Sequence, residues 1–487
     1  MSGATIDTVI AEAEAWLQAN SDEMAALSDA LFWFGEPSLQ EHETAALLVH
    51  TLEAAGFAVE RGISGFPTAF CARYGAGKPV VALHAEYDGC PDNSQMPGVT
   101  HQQPIIEGAP GHCEGHNGNA TVMIGAALAA RHAMERHGIE GEIRVIGAPA
   151  EELTLTRPYF VRDGYFDDVD VAFHNHIGDR LGTEYGLVQI AAMSAEFRFR
   201  GATAHAGLEP WVGRDALDAV TLMDMGMAQL REHLKPEMRM HRVILHGGEQ
   251  PNVIPARAAV WWMLRGPDAE DVRQLFERTC RVARGAAMMT DTEEEVEIRS
   301  AVWPVRCNQT LAELIARHIE RIGMPEWTTE EDDFAKELQS SIGSPAAGLR
   351  KQAERLQGPM PAPIAASNDC GDVSWKTPMG RLWWPGTVPG TRFHHWSGGA
   401  ALTTSIAHKG EMIGARILAA CVIEALAEEN IVRHARETFK NELGERQYAP
   451  LIPEGQQPKT DVHSATMEHY RPLMQKHYPT KRPKFRL

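Results

Sequence analysis

Three short apolar runs, each followed at once by polar residues, constrain the fold of this chain most strongly. They span residues 78–83, 142–147 and 169–173, and each has the length of a buried strand. Residues 119–137, between the first two runs, carry apolar side chains at helical spacing. Strands and helices in this order, with polar clusters at the strand ends, predict an α/β sheet with its functional site at the carboxyl edge.

Carboxylates and imidazoles follow the three apolar runs. These residues are Glu86, Asp88, Glu151, Glu152, His174 and His176. Adjacent carboxylates in an extended segment point to different sides, so one can bind a metal while the other faces the substrate as a base. An aspartate can also orient a ligating histidine, which is the role that we expect for Asp88. The spacing leaves open which of the two histidines points into the site.

A second candidate stretch is GHCEGHN at residues 111–117, between a loop rich in Gly and Pro and the predicted helix. Glu114 and His116 face one side if the entry to that helix is extended. A carboxylate and an imidazole beside glycines that allow close backbone approach are typical of metal ligands. The alternative is a polar loop in which Asn117 caps the helix.

Composition excludes several classes of partner. The net charge is −19 and no basic cluster tracks phosphates, so we expect no nucleic-acid partner. No apolar run is long enough to span a membrane, and the first residues do not have the pattern of a signal peptide. The 7 cysteines are odd in number and scattered, which favours the reducing cytoplasm. The sequence therefore favours a cytoplasmic protein that acts on a small molecule.

The pattern of strands and helices changes at about residue 188. Alternating strands are predicted at 189–199, 258–264 and 296–301, and helices at 214–232 and 268–285. We therefore expect an inserted α+β domain, residues 191–304, within a catalytic domain formed by residues 1–190 and 305–487.

Further helices are expected in the outer parts of the chain. They are predicted at residues 5–34, 40–55, 311–322 and 405–427, and His408 opens the last of them. Residues 326–363 and the tail, residues 437–487, are polar and contain proline, so we expect them at the periphery.

Several longer stretches follow one another in a fixed order from residue 86 to residue 410. They are EYDG (86–89), GHCEGHN (111–117), PAEE (149–152), GATAHA (201–206), GRDALDA (213–219), PNVIP (251–255), GDVSW (371–375) and SIAHKG (405–410). The series resembles the co-catalytic metallopeptidase family of aminoacylases and glutamate carboxypeptidases. Within it, the chain is most similar to the amidohydrolase branch of aminobenzoyl-glutamate, indole-acetyl-amino-acid and hippurate hydrolases.

The resemblance implies a zinc-peptidase-like catalytic domain, with a mixed central sheet flanked by helices, and an inserted dimerisation or lid domain. It implies a homodimer with two divalent metal ions per subunit, Mn or Zn. Glu151 is the implied general base. The implied metal ligands, beside Glu114, are His116, Glu152, His176 and His408.

The same resemblance gives roles to three residues of the inserted domain. His205 would reach the active site of the partner subunit and support the oxyanion. Asn252 and Arg265 match positions that hold the carboxylate of the substrate.

The chain departs from its relatives at Glu114, where the amidohydrolases carry a cysteine. Cys113 is one residue away from that position, and the flanking Gly and His residues fix the register. A carboxylate in place of a thiolate leaves only oxygen and nitrogen ligands, which favours Mn²⁺ over Zn²⁺.

These observations predict a metal-dependent hydrolase that cleaves an amide-like C–N bond in an N-acyl amino acid, with an aromatic acyl group favoured. One alternative is hydrolytic deamination of an aromatic amine by the same activated water. Another is a catalytically silent binding protein of the same fold. Retention of Glu151 argues against the silent protein, because such a protein needs no base.

Overall fold

The computed structural model describes residues 5–487. Its strands are β1 (Ala58–Arg61), β2 (Phe70–Ala76), β3 (Val80–Ala85), β4 (Gly141–Gly147), β5 (Val171–Gly178), β6 (Gly186–Leu187), β7 (Ala191–Arg200), β8 (Arg239–His246), β9 (Arg257–Gly266), β10 (Glu293–Val302), β11 (Arg306–Cys307) and β12 (Met379–Pro385).

The helices of the described chain alternate with these strands. They are α1 (Ile6–Ala19), α2 (Ser21–Phe34), α3 (His42–Ala54), α4 (His116–His137), α5 (Arg157–Arg162), α6 (Ala216–Arg231), α7 (Ala269–Thr290), α8 (Gln309–Ile322), α9 (Thr329–Ser341), α10 (Cys370–Lys376), α11 (Trp396–Gly399), α12 (Ser405–Ala427), α13 (Glu429–Leu443) and α14 (Ser464–Met474).

The central sheet has six strands in the order β1-β2-β4-β3-β5-β12. Strands β3, β4, β5 and β12 are parallel, whereas β2 runs antiparallel to β4 and β1 antiparallel to β2. The carboxyl ends of β3, β4 and β5 therefore meet at one edge, and the polar segments that follow β3 and β4 lie there. The prediction of a mixed α/β sheet is confirmed.

Side chains of the central sheet enter two apolar clusters, one on each face. Val81 and Leu83 of β3 belong to the cluster that contains α1, α4, α8 and α12. Val80 and Ala82, one residue out of phase, belong to the cluster that contains parts of α5 and α10. This alternation is the period of two that a strand imposes, so helices cover both faces and only the strand ends remain available for a site.

The structure differs from the sequence expectations at several element boundaries. Residues 5–34 form two helices, because the Asn20 side chain donates a hydrogen bond to the carbonyl of Trp16 (2.9 Å) where α1 ends and α2 begins. Strand β5 runs on to Gly178, so His174 and His176 lie inside it and not after it. The polar stretch 326–363 contains a full helix, α9, whose capping box joins Thr328 and Glu331.

A second, four-stranded antiparallel sheet has the order β10-β7-β9-β8. Helices α6 and α7 pack on it through a separate apolar cluster. Strand β8, which the sequence analysis missed, is its edge strand and exposes Val243, Ile244 and Leu245. We call residues 191–304 the lid domain and keep these limits as a proposal.

The C-terminal tail closes over both parts of the chain. The backbone carbonyl of Arg486 accepts a hydrogen bond from Trp16 Nε1 (2.7 Å), which ties the tail to α1. The Gln456 side chain donates to the carbonyl of Ile298 in β10 (2.8 Å) and to the hydroxyl of Tyr159 in α5 (3.1 Å). The tail thus links the lid domain to the catalytic domain. Within residues 5–487, no helix is long and apolar enough to cross a membrane.

Candidate metal centre and catalytic site

Asp88 and His116 form the floor of the site. Asp88 follows β3, and His116 opens α4 after Gly115, which has a φ of 67°. His116 Nδ1 lies 3.1 Å from the backbone O of Asp88 and 3.2 Å from its Oδ1. A Cβ on Gly115 would lie 2.6 Å from Ile177, so glycine is required there by both conformation and space. Asp88 therefore fixes the ring and leaves Nε2 of His116 free to bind.

Asp88 also holds the turn that carries Glu151 and Glu152. The backbone N–H groups of these two residues donate to Asp88 Oδ1 and Oδ2, each at 3.1 Å. The turn is tight because Ala150, which precedes it, adopts a φ of 57°. Asp88 thus orients both His116 and the two glutamates, which is the supporting role that the sequence analysis expected.

Glu151 is buried and lies beside the free nitrogen of His116. The distance from Glu151 Oε2 to His116 Nε2 is 3.7 Å. Burial, together with the nearby charge of Glu86, raises the pKa of Glu151 well above its usual range. A carboxylate with a raised pKa accepts a proton more readily near neutral pH, so this position suits a general base.

Glu114 and Glu152 converge on a histidine that the sequence analysis did not select. His394 Nε2 lies 2.7 Å from Glu114 Oε1 and 2.9 Å from Glu152 Oε2. His394 belongs to the loop between β12 and α11, in a left-handed conformation with a φ of 54°. Three side chains distant in sequence therefore meet at one point.

His176 and His174 both belong to β5 but have different surroundings. His176 Nδ1 lies 3.0 Å from the carbonyl O of Ile177, and its Nε2 lies 4.0 Å from Glu114 Oε2 and lines the cavity. His174 Nε2 instead lies 3.0 Å from Glu86 Oε1 in the interior. His176 is thus the histidine of the pair that faces Glu114.

The structure does not bring His408 to this group. Its Nε2 hydrogen-bonds to Asp29 Oδ1 at 2.8 Å, and the charges that act on its pKa are those of Asp29 and Glu411. His408 lies in the first turn of α12, which begins beyond the loop that carries His394. The position expected for His408 is therefore taken by His394, and we correct the expected ligand set accordingly.

A cavity of about 420 Å³ opens over these residues. Arg265 and His241 of the lid domain line it opposite Glu151 and Glu152. Burial lowers the pKa of Arg265, and the charge of Glu151 opposes this effect. Arg265 makes no ion pair with another residue in the described range 5–487, so its guanidinium remains available for an anion.

His205 and Asn252 lie elsewhere on the lid domain and do not line this cavity. Both are exposed. The backbone N–H of Ala206 donates to the carbonyl of Asn252 (3.0 Å), and His205 pairs with Val253 in an isolated bridge. Leu208 and Trp211 nearby are also exposed, by 68% and 72%. A role for His205 in catalysis thus requires the active site of another subunit.

Behind the site, a buried ionic network positions Glu86. Its carboxylate accepts from Arg157 Nη2 at 3.2 Å, and Arg157 also pairs with Asp369. His174, Arg157 and His116 together hold the pKa of Glu86 well below its usual range, against the effect of burial. Sequence analysis did not identify Arg157 or Asp369, because their charge is visible only as a pair.

The residues present fit a divalent metal centre. His116 Nε2 is buried and has no hydrogen-bond partner among the described residues, although buried polar atoms are generally paired. Within two sets of three side chains, the donor atoms all lie within 4.8 Å of one another: Glu114, His116 and Glu152, and Glu86, His116 and His176. Carboxylates and imidazoles suit Mn²⁺ and Zn²⁺ alike. These clusters support the binding of divalent ions.

Known proteins with matching sequences are consistent with this geometry. Residues 190–285 match the family profile of the peptidase dimerisation domain, M20_dimer. The chain is 34% identical over 468 residues to a p-aminobenzoyl-glutamate hydrolase of Escherichia coli, covering 91% of this chain and 97% of that protein. It is 29% identical over 318 residues to the Xaa-Arg dipeptidase of Mus musculus, covering 62% and 69%.

One solved structure shares the fold. The chain resembles a dinuclear metal-binding peptidase of the M20 family from Bacillus subtilis, with a TM-score of 0.55 and 17% identity. The match covers 84% of this chain and 99% of that one. At this level of identity the similarity concerns the fold alone.

Proposed function

Because the chain belongs to the M20 family of metallopeptidases, in its amidohydrolase branch, we propose that it hydrolyses the amide bond of an N-acyl amino acid with an aromatic acyl group. The observation that carries the proposal is the position of Glu151, buried at the wall of the cavity and 3.7 Å from the unpaired Nε2 of His116. The relatives include a hydrolase of p-aminobenzoyl-glutamate, a substrate of this class.

We propose that Glu114, His116, Glu152, His176 and His394 hold two divalent ions, Mn or Zn, and that Asp88 orients His116. When bound, the ions supply Lewis acidity, which makes water a stronger nucleophile near neutral pH. Glu151 accepts a proton from the water that attacks the amide carbon. It then delivers that proton to the amide nitrogen as the C–N bond breaks, so the products are a carboxylic acid and a free amino acid.

Two parts of the cavity support the proposed substrate. Arg265 presents a guanidinium whose planar fork suits the carboxylate of an amino acid. Trp383 and Phe393 form an aromatic wall, with ring centroids 5.4 Å and 5.7 Å from that of His176. An aromatic acyl group can pack against these rings. The cavity volume of about 420 Å³ lies in the usual range for small-molecule sites.

The subunit arrangement belongs to the same proposal. His205 of the partner subunit would reach the cavity and donate a hydrogen bond to the oxyanion that develops on the substrate carbonyl oxygen. Asn252, beside His205 on the same exposed surface, would join it there. The exposed edge strand β8 and the match to a dimerisation domain support a homodimer formed through the lid domain.

We also place the protein in the cytoplasm. All seven cysteines are free thiols, and five of them carry a raised pKa because burial disfavours the thiolate: Cys71, Cys280, Cys307, Cys370 and Cys421. Free thiols in this number suit a reducing compartment.

The test is turnover of a substrate panel by the purified, metal-loaded protein, with products identified by mass spectrometry. The panel contains p-aminobenzoyl-glutamate, other aroyl and acetyl amino acids, dipeptides and aromatic amines. Release of an amino acid from the aroyl substrates is the expected result. Ammonia release from the aromatic amines alone would replace the proposal by deamination, and no turnover across the panel would favour a silent binding protein.

A further inference from the structure

The thiol of Cys90 lies directly against the proposed metal ligands. Cys90 Sγ donates a hydrogen bond to Glu152 Oε1, with a separation of 2.9 Å. On the other side of the same carboxylate, Glu152 Oε2 lies 2.9 Å from His394 Nε2. The sequence analysis gave Cys90 no role, because it stands alone after Gly89 in a loop.

The backbone around Cys90 holds this thiol in place. Cys90 N–H donates to the carbonyl of Gly111 (2.9 Å), and Gly111 N–H donates back to the carbonyl of Cys90 (3.0 Å). The two segments approach so closely that a Cβ on Gly111 would lie 2.7 Å from the carbonyl of Asn93. Cys90 is 5% exposed, so its side chain is directed by packing and not by solvent.

Cys90, Glu152 and His394 together have the geometry of a cation site. Their donor atoms, one sulfur, one oxygen and one nitrogen, all lie within 4.8 Å of one another. Glu152 also belongs to the set with Glu114 and His116, so the thiol borders the same centre and does not form a separate one. A single cation among these three atoms would be in reach of each.

We propose that Cys90 supplies a thiolate ligand to the cation that Glu152 and His394 bind. The S–H proton leaves to solvent as the sulfur–metal bond forms, and Glu152 exchanges its hydrogen bond from the thiol for the cation. The inference rests on the proposed metal centre. It replaces the expectation of a ligand set made only of oxygen and nitrogen: Glu114 occupies the position of the relatives' cysteine, and Cys90 returns sulfur from another loop.

The consequence is a different metal preference. A set with only carboxylates and imidazoles favours Mn²⁺, whereas a thiolate favours Zn²⁺ and Co²⁺. Cys113 offers a matched control, because it is equally buried and neighbours Glu114 but belongs to none of the candidate sets of donor atoms.

The experiment loads Co²⁺ into the metal-free wild type and into the Cys90→Ser and Cys113→Ser variants. The readout is the near-ultraviolet charge-transfer absorption of a cobalt–thiolate bond, with bound cobalt measured by mass spectrometry. We expect the band in the wild type and in Cys113→Ser, and its loss in Cys90→Ser. A wild type with bound cobalt and no band, or loss of the band in Cys113→Ser alone, would overturn the proposal.

X-ray absorption of the zinc-loaded wild type decides the matter if Cys90→Ser fails to fold. A sulfur neighbour at about 2.3 Å supports the thiolate, and a shell of only oxygen and nitrogen rejects it. Turnover is measured separately. A cobalt–thiolate band without turnover would reject the proposed hydrolase and keep this ligand, whereas turnover without the band would do the reverse. A wild type that binds no cobalt would reject both the metal centre and this inference.

Discussion

His394 Nε2 lies 2.7 Å from Glu114 Oε1, and the same nitrogen lies 2.9 Å from Glu152 Oε2. Hydrogen bonds to Glu114 and Glu152 raise the pKa of His394 to about 11, so a proton occupies the point where three ligand side chains meet. A bound cation would take the place of that proton. This arrangement assigns the last ligand of the centre to the loop before α11 and not to α12.

His394→Ala is expected to reduce metal affinity by at least about tenfold, because removal of a direct ligand should cost no less than removal of a supporting residue. His408→Ala is the matched control and should leave metal content unchanged, since His408 contacts Asp29 instead. Bound metal after dialysis measures both. Loss of metal in His408→Ala with retention in His394→Ala would make His408 the ligand instead.

Glu151→Gln should lower kcat by at least about a hundredfold, because the amide keeps the shape of the side chain but cannot accept a proton. Metal content should stay close to that of the wild type. The exposed Glu320 of α8 provides the control, and Glu320→Gln should keep full activity. Near-normal turnover in Glu151→Gln would show that another group is the base.

His205→Ala and Arg265→Ala should each be inactive alone but should recover activity when the two proteins are unfolded and refolded together. Arg265 lines the cavity of its own chain, whereas His205 is exposed away from it. A heterodimer then carries one site with both groups and one with neither. Random pairing makes half of the dimers mixed, so about a quarter of the wild-type activity should return.

The control for this mixing experiment is each variant refolded by itself, beside refolded wild type. A silent mixture, with full recovery of the wild type, would mean that both groups act from one chain. A monomer by light scattering would remove the role of His205 in the partner's site.

Asp372→Asn should flatten the dependence of stability on pH. Burial raises the pKa of Asp372 to about 7, although Trp303 N–H and the Tyr448 hydroxyl both donate to it. The folded state therefore keeps a proton that the unfolded state has released. The free energy of unfolding of the wild type falls as the pH rises from about 4 to about 7, by up to about 4 kcal/mol.

Urea unfolding at pH 5 and pH 8 measures this effect as the difference between the two proteins, so other titrating groups cancel. The asparagine can accept from Trp303 and donate to Tyr448, which keeps both contacts. We expect the variant to gain stability relative to the wild type at pH 8. Equal slopes in the two proteins would show that Asp372 is ionised in the folded state.

Much of the catalytic domain could be predicted from the sequence, because its strands are short apolar runs and its helices have regular apolar spacing. The carboxyl edge of β3, β4 and β5 followed directly, and with it the neighbourhood of Asp88, Glu151 and His176. Strand β8 was missed because it is an exposed edge strand, so its side chains do not alternate between core and solvent.

The site residues that the sequence did not reveal share one property. His394 and Cys90 lie on loops, where no periodicity indicates which way a side chain points, and their role depends on contacts with Glu152 across the fold. His408 was favoured because it lies in a motif shared with the relatives, although that motif marks a helix that packs in the core. Position along the chain therefore identified the edge of the sheet but not every ligand at that edge.

Strand β12 completes the central sheet beside β5, although the whole lid domain separates the two in the chain. The four strands of the lid sheet all lie between Ala191 and Val302, whereas the central sheet lacks its edge until residues 379–385 have been made. Domains generally fold as units during synthesis. The lid can thus reach its native form on the ribosome while the domain that carries it is still incomplete, so the order of folding differs from the order in which the two domains begin.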